Sequence, residues 1–216
     1  MVPRVKICCI ANRVEAAAAI RAGASALGFV SAMPSGPGVI AESTIAEVAA
    51  TVPPPIATFL LTSQTAVASI VGQQRRTGTN TIQLCDRVSP AVLRELRIAL
   101  PGIRLVQVIH VDGPESVDDA IAVARYVDAI LLDSGNPYLP VKELGGTGRT
   151  HDWELSRLIR LRAGCPVFLA GGLNADNVRS AIDQVEPFGI DVCSGVRTAG
   201  RLDDEKLARF FARVRG

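Results

Sequence analysis

Three chemistry-bearing side chains interrupt apolar runs in this chain. Lys6 and Cys8 lie in Val5-Lys6-Ile7-Cys8-Cys9-Ile10, and Asp133 closes Ala129-Ile130-Leu131-Leu132. A free thiol titrates near 8.5, roughly, and a neighbouring ammonium lowers that value, so Lys6 on the same face would give Cys8 the thiolate character of a proton acceptor. Strand alternation puts Lys6 and Cys8 on one face and sends Cys9 to the other. A carboxyl at the end of an apolar run is raised by desolvation and becomes a proton donor nearer neutral pH. Together these residues suit proton transfer. Each also has a plainer reading: free cysteines are commonly small core hydrophobes, and an aspartate opening a loop is commonly a turn or cap residue.

Two glycine corners add a second kind of chemistry. Ala170-Gly171-Gly172-Leu173-Asn174 and Cys193-Ser194-Gly195-Val196 each follow an apolar run, and missing side chains there leave backbone N–H groups open to an anion such as phosphate. A tight left-handed turn without a ligand explains one such corner easily and two less easily. The connection from Ser134 to Thr150 is the longest in the chain, and with Gly145-Gly146-Thr147-Gly148 it is a candidate lid. Gln83 and Cys85, Gln107 and His110 also fall at strand ends. His110 is either an acid–base group or a polar cap, and His151, before Asp152-Trp153, belongs to a helix start. The five cysteines are odd in number and contain no C-x-x-C pair, which argues against a disulfide framework and a zinc site.

The elements that must carry these residues alternate. Short β-rich runs fall near 4–10, 26–30, 56–61, 81–85, 103–109, 127–132, 166–170 and 189–193. Helical spacing occupies 14–22, 42–51, 65–76, 90–100, 115–125, 153–163, 175–185 and 203–214. Eight β-α units favour a closed (β/α)8 TIM barrel over an open doubly wound sheet, whose usual glycine-rich first turn is absent from Cys9-Ile10-Ala11-Asn12-Arg13. Such barrels take roughly 200 residues at the least, so the 216 residues are expected to form one α/β domain, 1–216. With 48% apolar but only 4% aromatic residues, its core must be aliphatic. In this fold the site lies at the carboxyl ends of the strands, where Cys8, Gln83, His110, Asp133 and both glycine corners fall. A net charge of +2 without a basic stripe excludes nucleic acid as a partner. The uncharged stretch Val48–Gln74 is broken by Pro53-Pro54-Pro55, so no membrane span is expected, and the N-terminus carries no cleavable signal pattern, which implies the cytoplasm.

The strings Val5-Lys6-Ile7-Cys8, Ala26-Leu27-Gly28-Phe29-Val30, Ile82-Gln83-Leu84, Leu132-Asp133, Gly145-Gly146-Thr147-Gly148, Asp152-Trp153, Gly171-Gly172-Leu173-Asn174 and Asp191-Val192-Cys193-Ser194-Gly195-Val196 follow one another in order. In them the chain resembles the phosphoribosylanthranilate isomerase family of tryptophan biosynthesis along essentially its whole length. The resemblance implies a small (β/α)8 barrel that catalyses an Amadori rearrangement without a cofactor or metal, with Cys8 as general base and Asp133 as general acid. It places Lys6, Gln83, Gly171, Gly172, Asn174, Asp191, Ser194 and Gly195 against the sugar phosphate of a phosphoribosyl amine, in a monomer or homodimer. The chain departs from the family at the end that would hold the amine. Cys9 replaces a glycine, Gly36-Pro37-Gly38 replaces Ser-Pro-Arg, Cys85-Asp86 replaces His-Gly, and Arg197 replaces a glutamate. The arginine expected to meet the anthranilate carboxylate is therefore missing, and Arg13, His110 or Arg197 is the expected substitute. Two alternatives stay open: an Amadori isomerase for a different phosphoribosyl amine, and a sugar-phosphate-binding barrel without catalysis.

Overall fold

The computed structural model of the chain describes residues 2–216. Its strands are β1 Arg4–Ile7, β2 Ala26–Val30, β3 Ala57–Thr62, β4 Thr81–Leu84, β5 Arg104–His110, β6 Ala129–Asp133, β7 Val167–Leu169 and β8 Gly189–Val192. Between and after them run α1 Arg13–Ala22, α2 Glu42–Ala49, α3 Val67–Thr77, α4 Pro90–Ala99, α5 Glu115–Ala124, α6 Trp153–Arg162, α7 Val178–Val185 and α8 Asp204–Arg215. The strands pair in parallel in chain order and β8 pairs back onto β1, closing the barrel that the eightfold alternation predicts.

Alternation along each strand builds two cores. Val5 and Ile7, Leu27 and Phe29, Ile82 and Leu84, Ile130 and Leu132, and Ile190 and Val192 point outward into the layer beneath the helices. Ala26, Phe59, Leu61, Val106, Val108, Ala129, Leu131 and Phe168 fill the barrel interior. The inward positions also carry the polar residues of the apolar runs. Lys6 stands beside Asp191 in the β1–β8 register and Gln83 beside Leu61 in the β3–β4 register.

Local chemistry sets the element ends. Asn12 caps α1 by accepting from the Glu15 N–H at 3.0 Å, and the Glu15 carboxylate accepts from the Ala11 N–H at 3.1 Å, a reciprocal box that fixes the exit from β1. Two boundaries differ from the sequence reading by three residues each, and one further element appears. β1 stops at Ile7, not residue 10, because Cys9 adopts a left-handed backbone with φ of 62°. α7 starts at Val178, not 175, because Asn174 and Asn177 exchange side-chain to backbone hydrogen bonds and hold the turn: the Asn174 N–H donates to Asn177 Oδ1 at 2.9 Å, and the Asp176 N–H to Asn174 Oδ1 at 2.8 Å. Before α8, β9 Arg197–Thr198 and β10 Arg201–Leu202 form an antiparallel hairpin that the period count passes over. Its turn has Ala199 and Gly200 at φ of 47° and 78°, the left-handed pair that a two-residue hairpin loop demands.

Candidate active site

The floor of the barrel mouth is a buried ion pair. Lys6 Nζ lies 2.9 Å from Asp191 Oδ1 and 5.3 Å from the centre of the Phe59 ring. Burial alone would lower the Lys6 pKa; the Asp191 carboxylate beside it outweighs burial and holds the ammonium above its ordinary value. Removing one member of such a pair typically costs about 3–5 kcal/mol, since the survivor stays buried and unpaired. Lys6 is 0% exposed and lies beneath the mouth, whereas Asp191 lines it. Lys6, expected among the substrate contacts, is thus not one of the residues that line the cavity. Gly28 on β2 makes the arrangement possible, because a Cβ there would stand 3.0 Å from Cys8 Sγ and 3.1 Å from Lys6 Nζ. The sequence reading gave Gly28 no role, although a glycine inside a strand is itself a signal of close approach.

Above this floor, Cys8, Cys9, Gln83, Asp133, Cys193 and Ser194 line one cavity of about 80 Å³. Cys9 is therefore not on the opposite face: its left-handed backbone turns its side chain into the same interior cluster as Cys8. A hydrogen bond to Cys193, then one to Cys8, then burial push the Cys9 thiol far above its ordinary range, while accepting from Cys9 lowers Cys193. Cys85 is fully buried beside Gln83 and is raised by that burial.

Asp133 ends β6 and lines the same cavity as Cys8. Desolvation pushes its carboxyl up to about 6 against the opposing N–H of Ser134, which donates to Oδ1 at 2.7 Å. The other oxygen, Oδ2, faces the loop 134–150 at Gly145, where a Cβ would approach to 2.8 Å. That loop lies over the mouth. The Ser35 hydroxyl donates to the Lys142 carbonyl at 2.6 Å, Ser134 and Thr147 share a 2.7 Å hydroxyl contact, and Gly146 packs on Pro37 so closely that a Cβ would fall 2.6 Å from Pro37 Cδ.

The two glycine corners meet. Asn174 and Gly195 form a parallel bridge, and a Cβ on Gly195 would stand 2.0 Å from the Leu173 carbonyl oxygen. Gly171 and Gly172 have φ of 80° and 61° and pack under the lid at Arg149 and Thr150. The N–H groups of Gly172 and Ser194 donate to no acceptor among the described residues, so both stay available to an anion at the cavity wall. Asn174 does not line the cavity; it and Asn177 tie the corner to α7, and Asn177 Nδ2 donates to the Gly172 carbonyl at 3.0 Å.

The three residues expected at the amine end lie elsewhere. Arg197 is buried behind β1, where it donates to Glu15 and to the Cys8 and Cys9 carbonyls, the latter at 2.6 Å. Glu15 is the counter-charge of Arg197 there. His110 lines a neighbouring cavity with Arg87, Asp112 and Tyr138, where its Nε2 meets the Cys85 carbonyl at 3.2 Å and burial lowers its pKa. Arg13 is exposed at the start of α1. His151 packs on the Ser156 hydroxyl at 2.8 Å with its pKa lowered to about 4 by burial, and Asp152 provides the α6 cap.

A family model described as N-(5'phosphoribosyl)anthranilate (PRA) isomerase matches residues 5–213. The N-(5'-phosphoribosyl)anthranilate isomerase of Nostoc punctiforme is 35% identical over 212 residues, covering 98% of each chain. The crystal structure of the Thermotoga maritima phosphoribosyl anthranilate isomerase superposes with a TM-score of 0.85 at 29% identity, covering 99% of this chain and 98% of the other. A further isomerase structure, solved with reduced 1-(o-carboxyphenylamino)-1-deoxyribulose 5-phosphate, gives 0.82 at 28% identity, covering 99% and 98%. With the family model spanning the whole barrel and the relatives covering nearly every residue, this chain belongs to the N-(5'-phosphoribosyl)anthranilate isomerase family.

Proposed function

We propose that this barrel, as one domain over residues 1–216, isomerises a phosphoribosyl amine of the N-(5'-phosphoribosyl)anthranilate type to the open-chain 1-amino-2-ketose phosphate. Cys8 is the base and Asp133 the acid, and the reaction runs in the cytoplasm as a step of tryptophan biosynthesis. The observation that carries the reading is the meeting of Cys8 from the β1 exit and Asp133 from the end of β6 in one cavity, beside the glycine corners that offer N–H groups to a phosphate.

The rearrangement needs a proton delivered to the furanose ring oxygen as its bond to C1 breaks, giving an iminium at C1. It then needs the C2 proton removed to give an enolamine, which becomes the ketose when C1 is protonated. A carboxyl with a pKa near 6 is still partly protonated near neutral pH and can serve the first step, with Oδ2 free because Oδ1 is held by Ser134. Cys8 serves the second. The Lys6 ammonium lies buried beneath it, and Gly28 leaves room for the two side chains to approach. The free N–H groups of Gly172 and Ser194 hold the phosphate, and the loop 134–150 keeps water from the iminium.

Each proton-transfer group typically contributes about 10²–10⁴ in rate. Cys8→Ala and Asp133→Asn are each expected to lower kcat on phosphoribosylanthranilate by such a factor while keeping the circular dichroism of the parent. A folded Cys8→Ala protein with undiminished kcat would end the assignment.

A further inference from the structure

Arg197 is not among the residues that line the cavity, yet its guanidinium bonds the backbone of Cys8. Its Nη2 donates to the Cys8 carbonyl at 3.1 Å and to the Cys9 carbonyl at 2.6 Å, and Nη1 and Nη2 each reach the Glu15 carboxylate at 3.1 Å. The fork is buried and braced on its far side. Nη1 also donates to the Gly200 carbonyl at 3.1 Å, while Glu15 accepts the Ala11 N–H ahead of α1 at 3.1 Å and the Leu202 N–H of β10 at 3.0 Å.

Successive carbonyls of an extended strand point to opposite sides, so one nitrogen does not serve two in a row. Here it does, because the φ of 62° at Cys9 turns the backbone and brings both carbonyls to the guanidinium. A non-glycine residue stays in that left-handed region only where its surroundings hold it there, and Arg197 supplies the hold. Cys8 is thereby fixed from two sides. Its N–H donates to the Val192 carbonyl of β8 at 2.9 Å and its carbonyl accepts from Arg197, which together set its Cα and the direction in which its thiol leaves the chain.

We propose that Arg197, braced by Glu15, is a positioning residue for the base: it holds the left-handed turn at Cys9 and so aims the Cys8 thiol at the substrate carbon whose proton it removes. This rests on the isomerase reading above, in which Cys8 is the base.

The test is steady-state kinetics of the full chain on phosphoribosylanthranilate. Arg197→Lys keeps a cation but offers one nitrogen in place of the fork, so it does not hold Glu15 and both carbonyls together. Its kcat is expected to fall about tenfold or more while KM stays within about threefold of the parent's, since a reacting group misplaced by about 1 Å loses rate rather than binding at the phosphate end. Glycine adopts positive φ unaided, so adding Cys9→Gly to Arg197→Lys is expected to restore most of the lost kcat. That restoration separates positioning from packing, which a glycine would only loosen further. Should Arg197→Lys not fold, Arg197→Met/Glu15→Gln, which leaves no charge buried without its partner, carries the same expectations.

A folded Arg197→Lys protein with the parent's kcat overturns the inference, as does a loss that Cys9→Gly fails to restore or that falls equally on KM. If neither variant folds, the pair serves the fold rather than the base, and the inference falls as well. A parent that does not turn over phosphoribosylanthranilate removes the isomerase reading itself, which no outcome with the variants does.

Discussion

Burial of the Asp133 carboxyl comes at the expense of the fold. Its carboxyl titrates at about 6 in the folded chain against an ordinary 3.8, because burial at the barrel mouth outweighs the Ser134 hydrogen bond. The folded protein therefore binds more protons than the unfolded one between those values, and stability falls as pH rises through that window. Discounted for its partial exposure, the ionised carboxylate costs on the order of 2 kcal/mol above pH 6. Asp133→Asn is accordingly expected to raise the urea midpoint at pH 8 and to lose this advantage below about pH 4, where both states of the parent are protonated. A variant no more stable than the parent at pH 8 would contradict the account. The raised carboxyl was legible in the sequence because an apolar run ends on it. Cys9 was not, since period-two alternation says nothing about a residue whose φ turns positive one step beyond the strand.

The β7 and β8 corners behave as one element. Gly195 approaches the Leu173 carbonyl so closely that any side chain must part the bridge to Asn174 and shift Ser194, which lines the cavity. Gly195→Ala is expected to raise KM for the phosphorylated substrate about tenfold or more while changing kcat less, since overpacking of this kind typically costs about 1–3 kcal/mol and falls on the phosphate end. Equal loss in KM and kcat would show that the corner also positions the reacting carbons. The glycines of this element could be read in advance because each follows an apolar run. The late start of α7 could not, since it depends on two asparagines bonding each other's backbone across a turn. The β9–β10 hairpin was missed for a related reason, as strands of two residues carry no period. It brings Leu202 to the Glu15 carboxylate, which accepts its N–H at 3.0 Å, so the residue that pairs Arg197 also anchors this hairpin.

At the scale of the whole molecule, eight repeats close on themselves between β8 and β1, and the seam carries the Lys6–Asp191 pair. The count of eight was visible in the sequence; the seam was not, because register across the closure depends on residues nearly the full chain apart. The same architecture puts both corner N–H donors on one rim and leaves the cavity lining without a cationic side chain, the lid's Lys142 and Arg149 being paired with Asp86 and Glu143, on a protein whose net charge is only +2. Such a mouth projects almost no attractive field into the solvent, so a phosphorylated substrate arrives by unaided diffusion and is recognised only on contact. Its capture should then be nearly indifferent to ionic strength: kcat/KM is expected to change less than about twofold between about 0.05 and 0.5 M potassium chloride, whereas steered encounters fall steeply over that range.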